Sequence, residues 1–450
     1  MMLSFRASRA LATLALYGAA STVPLVAGAA VHPVVASSRP IVSVAAKPAM
    51  SDAFVDSIGA DSHFSYDNTP YVQKFSTIGP LIAASGLRHL RDADRGTVYA
   101  AKMNYLAAHG VRHSLGFNLY DTAATIKTAL ASFGSQVDFI ESANELDLTS
   151  STDPHWVEHL QTLQKLIYKT VRANPAYNAL PILGPSLADA NKYALLGNLD
   201  AVADAGNLHS STCDYNPGIS PYFASIGVGI AEASMATPGR PIWTTETAYD
   251  SDLGHTCGLS NDVIAKYDPR TVAERFNAGQ PRTYFYQLVD MPVDPIFGTT
   301  GLIEPSGVPK PQFVALESLI GLLADPGPAF VPTPLSFVLA GDTGYVHDTL
   351  LQRRDGAYEM LIWLEKASWD HNTRRPIAVA PQSVQLELPY HPAFVETFAY
   401  DNTWHFSGRV LTTCAPGGRC ARVRSAMAAA SNVFSVPLSV SDAISVVVFK

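Results

Sequence analysis

Two stretches decide the reading of this chain: Ile140-Glu141-Ser142-Ala143-Asn144-Glu145-Leu146-Asp147, and Pro241-Ile242-Trp243-Thr244-Thr245-Glu246-Thr247-Ala248-Tyr249. Each is a hydrophobic run that stops at a carboxylate and passes into a loop or a helix start. Six further runs of the same kind, Phe54–Gly59, Gly86–Leu90, Val111–Leu115, Pro181–Gly184, Gly206–His209 and Thr283–Leu288, bring the candidate strands between Asp52 and Leu323 to eight. Segments with helical spacing lie between several of them. The clearest has Trp156, Leu160, Leu163, Ile167 and Val171 on one face. Strands that do not alternate apolar with polar, joined through helices, predict a parallel sheet buried on both faces. Eight such units predict a (β/α)8 barrel, a fold that typically takes ~250 residues. An open doubly wound sheet is the structural rival, but its glycine-rich first turn has no counterpart in Ala60-Asp61-Ser62-His63-Phe64.

After Leu323 the pattern changes. Asp325-Pro326-Gly327-Pro328 ends the last helix. Short runs follow at 344–350, 359–364, 383–388, 395–400, 404–406 and 444–449, with turn residues between them. They predict an antiparallel β-sandwich. The expected organisation is a signal peptide over residues 1–29, a linker or extra sandwich strand over 30–50, a catalytic barrel over 51–325 and a sandwich over 326–450. In the leader, Arg6 and Arg9 precede an apolar stretch, and Ala27-Gly28-Ala29 is a small-x-small cleavage site. Gly18, Ser21, Thr22 and Pro24 interrupt that stretch, so it falls short of a membrane span. A secreted or periplasmic protein, free of the membrane once cleaved, is the expectation.

The 450 residues are 47% hydrophobic and 16% charged, which excludes wholesale disorder. The net charge of −8 and the lack of a basic run argue against a nucleic-acid partner. Four cysteines in an exported chain suggest disulfides. Locality favours Cys414 with Cys420 and Cys213 with Cys257 among the three possible pairings. None of the four has metal-site spacing, so neither a metal nor an organic cofactor is expected.

If both opening stretches are strands of one barrel, the fourth and the seventh, then Glu145 and Glu246 face each other across its C-terminal rim. Two carboxylates across a cleft are the minimal apparatus for breaking a glycosidic bond, and their spacing sets the stereochemistry. Asn144-Glu145 ending strand four, with Glu246 ending strand seven, resembles the retaining glycoside hydrolases of clan A. The resemblance implies Glu145 as general acid/base, Glu246 as nucleophile and Asn144 as the partner of a sugar 2-hydroxyl. Gly86-Leu87-Arg88-His89-Leu90-Arg91 is similar to the clan's second strand, whose final Arg supports the nucleophile, here Arg91. Asn207-Leu208-His209-Ser210 looks like its sixth strand, with His209 on the rim. Barrel and sandwich together most resemble family 39 and parts of family 5.

The chain departs from that pattern in lacking a Trp near the end of strand eight, where Tyr286 stands in Thr283–Asp290. The Tyr that often bonds the nucleophile has two candidates, Tyr215 and Tyr222. His63, near the end of strand one, is a further candidate sugar contact. The reading is a retaining β-glycosidase acting on a polysaccharide or oligosaccharide, as a monomer. A non-catalytic carbohydrate-binding protein and a transglycosylase are the alternatives.

Overall fold

Seven strands lie parallel in one curled sheet, in the spatial order 137–141, 112–116, 89–91, 58–61, 283–285, 242–247, 206–209. The computed structural model describes residues 45–450, apart from 65, 93–96, 219–224, 416–418 and 421–432. The leader and Tyr222 lie outside the described residues. Between chain neighbours along the sheet run helices such as Phe75–Ser85, Ala123–Phe133 and Trp156–Arg172. The last of these buries Trp156, Leu160, Leu163, Ile167 and Val171, the face its sequence spacing predicts. The strands are apolar on both faces for a visible reason. Ile140, Leu208, Ile242 and Phe285 join the large core shared with the helices. Phe139, Leu183, Ala205, Trp243 and Tyr284 pack on one another as a separate inner cluster.

Three expectations need correction. Phe54 and Val55 are helical, in Ser51–Asp56, and the strand begins only at Ile58. A short apolar run fits either element, and here both side chains are buried from a helix. Pro181–Gly184 is not a regular strand, so the expected eight-stranded ladder is a seven-stranded sheet. The segment makes single parallel bridges, Ile182 to Ile140 and Leu183 to Ala205, between the two edge strands. Two of its backbone groups go to side chains instead of a strand. Ile182 N–H donates to Asp204 Oδ2 (2.7 Å), and the Leu183 carbonyl accepts from the buried Gln164 amide (3.0 Å). Third, Glu145 does not end its strand, which stops at Glu141, while Glu246 lies inside its own.

Apart from a two-stranded ladder of Trp369–Asp370 with Arg375–Pro376, the remaining strands form a seven-stranded sheet that is antiparallel apart from its edge strand Ala49–Met50, and a three-stranded antiparallel sheet, Phe434–Val440, Gln382–Leu388 and Val338–Gly341. Their apolar sides meet in one cluster, with Met360, Ile362, Val447 and Phe449 from the first and Val384, Leu386, Val436 and Val440 from the second. Ala49–Met50 pairs in parallel with Leu351 and Gln352 of the first sheet. The strand 434–440 went unread because Pro437 interrupts it. It is an edge strand, where a residue without an N–H is tolerated. Residues 43–450 form one compact unit. No helix among the described residues is long and apolar enough to cross a membrane.

Buried polar contacts join the parallel part to the antiparallel part. Arg270 from helix Asn261–Asn277 pairs with Glu365 at 2.7 Å, both side chains wholly buried. Ser51 Oγ donates to Glu359 Oε2 at 2.5 Å. Burial pushes the Glu359 carboxyl up to about 7 despite the Ser51 bond and the Arg353 charge. Its acid form is therefore held in the fold after an unfolded chain would have released the proton, so stability falls as pH rises from 4.5 to about 7. Glu359→Gln should remove that loss. Denaturant titrations should give equal stability for variant and parent near pH 4, and a gain approaching about 3 kcal/mol for the variant above pH 7. A gap independent of pH would contradict the assignment.

Candidate active site

Charged side chains gather where the parallel strands end. Asp61, Arg91, Glu141 and His209 are the last residues of their strands, and Glu246 is the last but one of its own. Arg91 sits among the acids. Its Nε donates to Glu141 Oε2 (2.6 Å), and its Nη1 to Glu246 Oε1 (2.5 Å) and Asp61 Oδ2 (3.3 Å). Its Nη2 donates to Asn144 Oδ1 (2.7 Å). One guanidinium thus faces three carboxyl groups, and all three cannot be charged without excess repulsion. Asp61 is the most buried, at 1% exposure. Burial, opposed by Arg91 and reinforced by the charges of Glu246 and Glu141, holds its carboxyl well above the usual carboxylate range. Asp61 is thus biased toward its neutral form, and the shorter Arg91 contacts go to Glu141 and Glu246.

A hydrogen-bond chain leads from Glu141 to Glu145. Glu141 Oε1 accepts from Asn207 Nδ2 (2.8 Å), which turns the Asn207 carbonyl toward Thr245. The Thr245 hydroxyl donates to that carbonyl (2.5 Å), so its oxygen is an acceptor for His209 Nε2 (3.0 Å). Nε2 then holds a hydrogen, and the other ring nitrogen, Nδ1, meets Glu145 Oε1 at 2.7 Å. A single proton lies between them. Burial acts to raise the Glu145 carboxyl, but the His209 bond and charge, with Arg91, bring it below the usual range. Glu145 itself has φ 45° and ψ 45°, left-handed for a residue with a Cβ, as it opens the short turn Leu146–Thr149. A strained backbone carrying a carboxylate into a cleft is an arrangement commonly met at functional sites.

Glu145, His209 and Glu246 each bring one ligand-type atom within 4.8 Å of the other two. The set resembles a cation site, but Arg91 already supplies the positive charge to Glu246 at contact distance, which disfavours a second cation there. Asn144, Arg91, His209, Glu145 and Glu246 are thus in one contact network. Tyr286 joins its edge. Its backbone N–H donates to the Thr247 carbonyl (2.8 Å), its peptide bond to Gln287 is cis, and burial with the charges of Glu246 and Asp61 raises its phenol. His63 stacks on Tyr66 (4.6 Å between ring centres) and meets Tyr286 edge-on (5.6 Å). Burial and the Arg91 charge push His63 down to about 4, so it is neutral, and its buried Nε2 has no partner among the described residues.

Tyr215 is placed differently. Its ring stacks on His371, from the antiparallel part, at 5.0 Å. It lies beside the disulfide Cys213–Cys257, which ties the loop after strand 206–209 to the loop after strand 242–247. Cys414 and Cys420 are opposite one another in their ladder. Sequence reasoning passed over Asp61, Glu141, Asn207 and Thr245. Asp61 and Glu141 carry the signal that singled out the two glutamates, an acid closing an apolar run. Asn207 and Thr245 carry none, because their role appears only when adjacent strands are in register.

Removing the central cation should expose the repulsion it offsets. Arg91→Met should lose about 3–5 kcal/mol at pH 7, the usual cost of breaking a buried ion pair from one side. Without Arg91 the folded-state carboxyls titrate higher, so their penalty exists only above the unfolded values and disappears as pH falls. Denaturant titration should therefore show the deficit shrinking toward pH 4. A deficit that grows on acidification would contradict the charge arrangement.

No family model matches the sequence, and no curated protein matches it in sequence. Solved structures do match in fold. A family 39 glycoside hydrolase from the gut symbiont Bacteroides cellulosilyticus aligns over 89% of this chain and 82% of its own, with 16% identity and TM-score 0.59. A glucosidase from Croceicoccus marinus covers 91% and 97% at 11% identity and TM-score 0.57. A monomeric β-xylosidase from Caulobacter crescentus covers 90% and 97% at 15% identity and TM-score 0.53. From the parallel sheet through the antiparallel part, this chain has the fold of those glycoside hydrolases.

Proposed function

We propose that this protein is a retaining glycosidase that hydrolyses β-glycosidic bonds of an oligo- or polysaccharide by double displacement. One observation carries the reading: oxygens of Glu145 and Glu246 lie within 4.8 Å of each other, yet each carboxylate has its own partner. A separation of that order suits the ~5–5.5 Å between carboxyl groups of retaining enzymes better than the ~6.5–9.5 Å of inverting ones. Held by the Arg91 guanidinium, Glu246 presents an oxygen to the anomeric carbon. Glu145 shares a proton with His209. A sugar filling the cleft strips water from the Glu145 carboxylate, which favours its neutral form and moves the shared proton onto it. Glu145 then protonates the leaving oxygen as the bond from Glu246 forms. In the second half it takes a proton from the incoming water while Glu246 is released.

Asn144, fixed through its carbonyl by Arg91, keeps its amide N–H groups for a sugar hydroxyl beside the reacting carbon. Neutral His63 and Tyr286 form the wall of the same pocket in this reading, and Tyr286 takes the place of the Trp of clan A relatives. Barrel closure through 181–184, with residues 326–450 as a sandwich of their own, completes the proposed organisation. Export fits the leader and the Cys213–Cys257 disulfide, since such bonds persist in oxidising compartments.

Two variants test the assignment. Glu246→Ala should reduce turnover of an activated aryl glycoside to background, and azide should restore it by occupying the vacated space. Glu145→Ala should lose about 100- to 10,000-fold on substrates with poor leaving groups, while a dinitrophenyl glycoside, which needs no acid, is spared in its first step. Wild-type rates for both variants on every substrate would exclude the mechanism.

A further inference from the structure

The strand Ile242–Thr247 carries one residue more than either neighbour. Against 206–209, Leu208 pairs with Thr244 and the next residue, His209, pairs with Glu246. Against 283–285, Thr283 pairs with Thr244 and Phe285 with Thr247. Both ladders place the extra residue between Thr244 and Thr247, which makes this a β-bulge. Its consequence follows from alternation. Trp243 faces the inner cluster, so a flat strand would send Thr244 out, Thr245 in and Glu246 out among the helices. Instead Thr245 and Glu246 both face inward, Thr245 onto Asn207 and His209, Glu246 onto Arg91. Thr244 and Thr247 face the other way.

What they face is Arg275, from helix Asn261–Asn277, only 1% exposed. Its Nη1 donates to Thr244 Oγ1 (2.8 Å) and Gln280 Oε1 (3.1 Å). Its Nη2 donates to the Ser210 carbonyl (2.9 Å) and Thr247 Oγ1 (3.4 Å). Ser210 in turn donates its N–H to the Glu246 carbonyl (3.0 Å). Among the described residues no carboxylate pairs with Arg275. Burial pulls it down to about 10, and it remains a cation at neutral pH. A buried charge held only by neutral acceptors is costly and needs a compensating use. Here the guanidinium grips the bulge at both ends and, through Ser210, the backbone of the residue the bulge re-aims.

We propose that Arg275 is a positioning residue that staples the bulge of strand Ile242–Thr247 and so turns Glu246 into the cleft. Its catalytic consequence rests on the reading of Glu246 as nucleophile. The experiment compares Arg275→Met and Arg275→Lys by crystal structure and by kinetics on a dinitrophenyl glycoside that the parent hydrolyses. Arg275→Met should lose the 2.5 Å Glu246–Arg91 contact. Its kcat should fall about 100-fold, the cost of an ångström-scale misplacement, with little change in KM. Arg275→Lys should recover part of kcat, since an ammonium still reaches some of the four acceptors.

If Arg275→Met does not fold, Thr247→Val, which removes one acceptor at constant shape, should give the same split at about tenfold. A folded variant that keeps the contact and the parental kcat overturns the proposal. A parent that hydrolyses no glycoside overturns the glycosidase reading instead, and the crystal structure then decides the staple alone.

Discussion

A single guanidinium sets the electrostatics of the cleft. Arg91 lies between Asp61, Glu141 and Glu246 and reaches Asn144 with its remaining donor. The arrangement sorts the acids by environment. Asp61, deepest and least compensated, is held toward its neutral form. Glu141 spends its second oxygen on Asn207 and thereby orients Thr245, His209 and the proton shared with Glu145. Glu246 is left with the Arg91 guanidinium as its own partner. Two glutamates a few ångströms apart thus have different partners, Arg91 for Glu246 and His209 for Glu145, an arrangement that suits distinct acid and nucleophile roles.

The strands that present these groups do so against their own alternation. An apolar inner face of the curled sheet needs every second residue, as Phe139, Trp243 and Tyr284 show. A rim crowded with polar groups needs more inward positions than alternation supplies. The extra residue of strand Ile242–Thr247 provides one, and the left-handed turn at Glu145 provides another beyond the end of its strand. Both deviations carry local cost, and both are held by tertiary contacts from outside the strand, Arg275 in one case and His209 in the other.

Much of this was legible from the sequence, for a physical reason. Strands buried on both faces read as unbroken apolar runs, so a carboxylate following one stands out, and Glu145 and Glu246 were singled out that way, while Arg91 came from the likeness of its strand to the second strand of clan A. The two-sided cluster that includes Met360, Leu386 and Phe449 was signalled by short runs between turn residues. Local pattern failed where side chains replace backbone partners. The side chains of Gln164 and Asp204 take the Leu183 carbonyl and the Ile182 N–H, so 181–184 makes only single bridges where a strand was expected. Pro437 hid an edge strand, and Phe54-Val55 fitted a helix as well as a sheet. Asn207, Thr245 and Arg275 could not be read at all, because their meaning depends on register between strands distant in sequence.

The most direct test is intact mass spectrometry after incubation with a panel of activated 2-deoxy-2-fluoro glycosides, followed by peptide mapping. The fluorine slows release more than attack, so a retaining enzyme accumulates its glycosyl intermediate. The geometry of the cleft predicts a stable adduct of one sugar on the peptide containing Glu246, and the sugar that reacts names the substrate. An adduct on the Glu145 peptide, or none from any sugar while the same glycosides are hydrolysed with inversion, would contradict the assignment of Glu246 as the nucleophile.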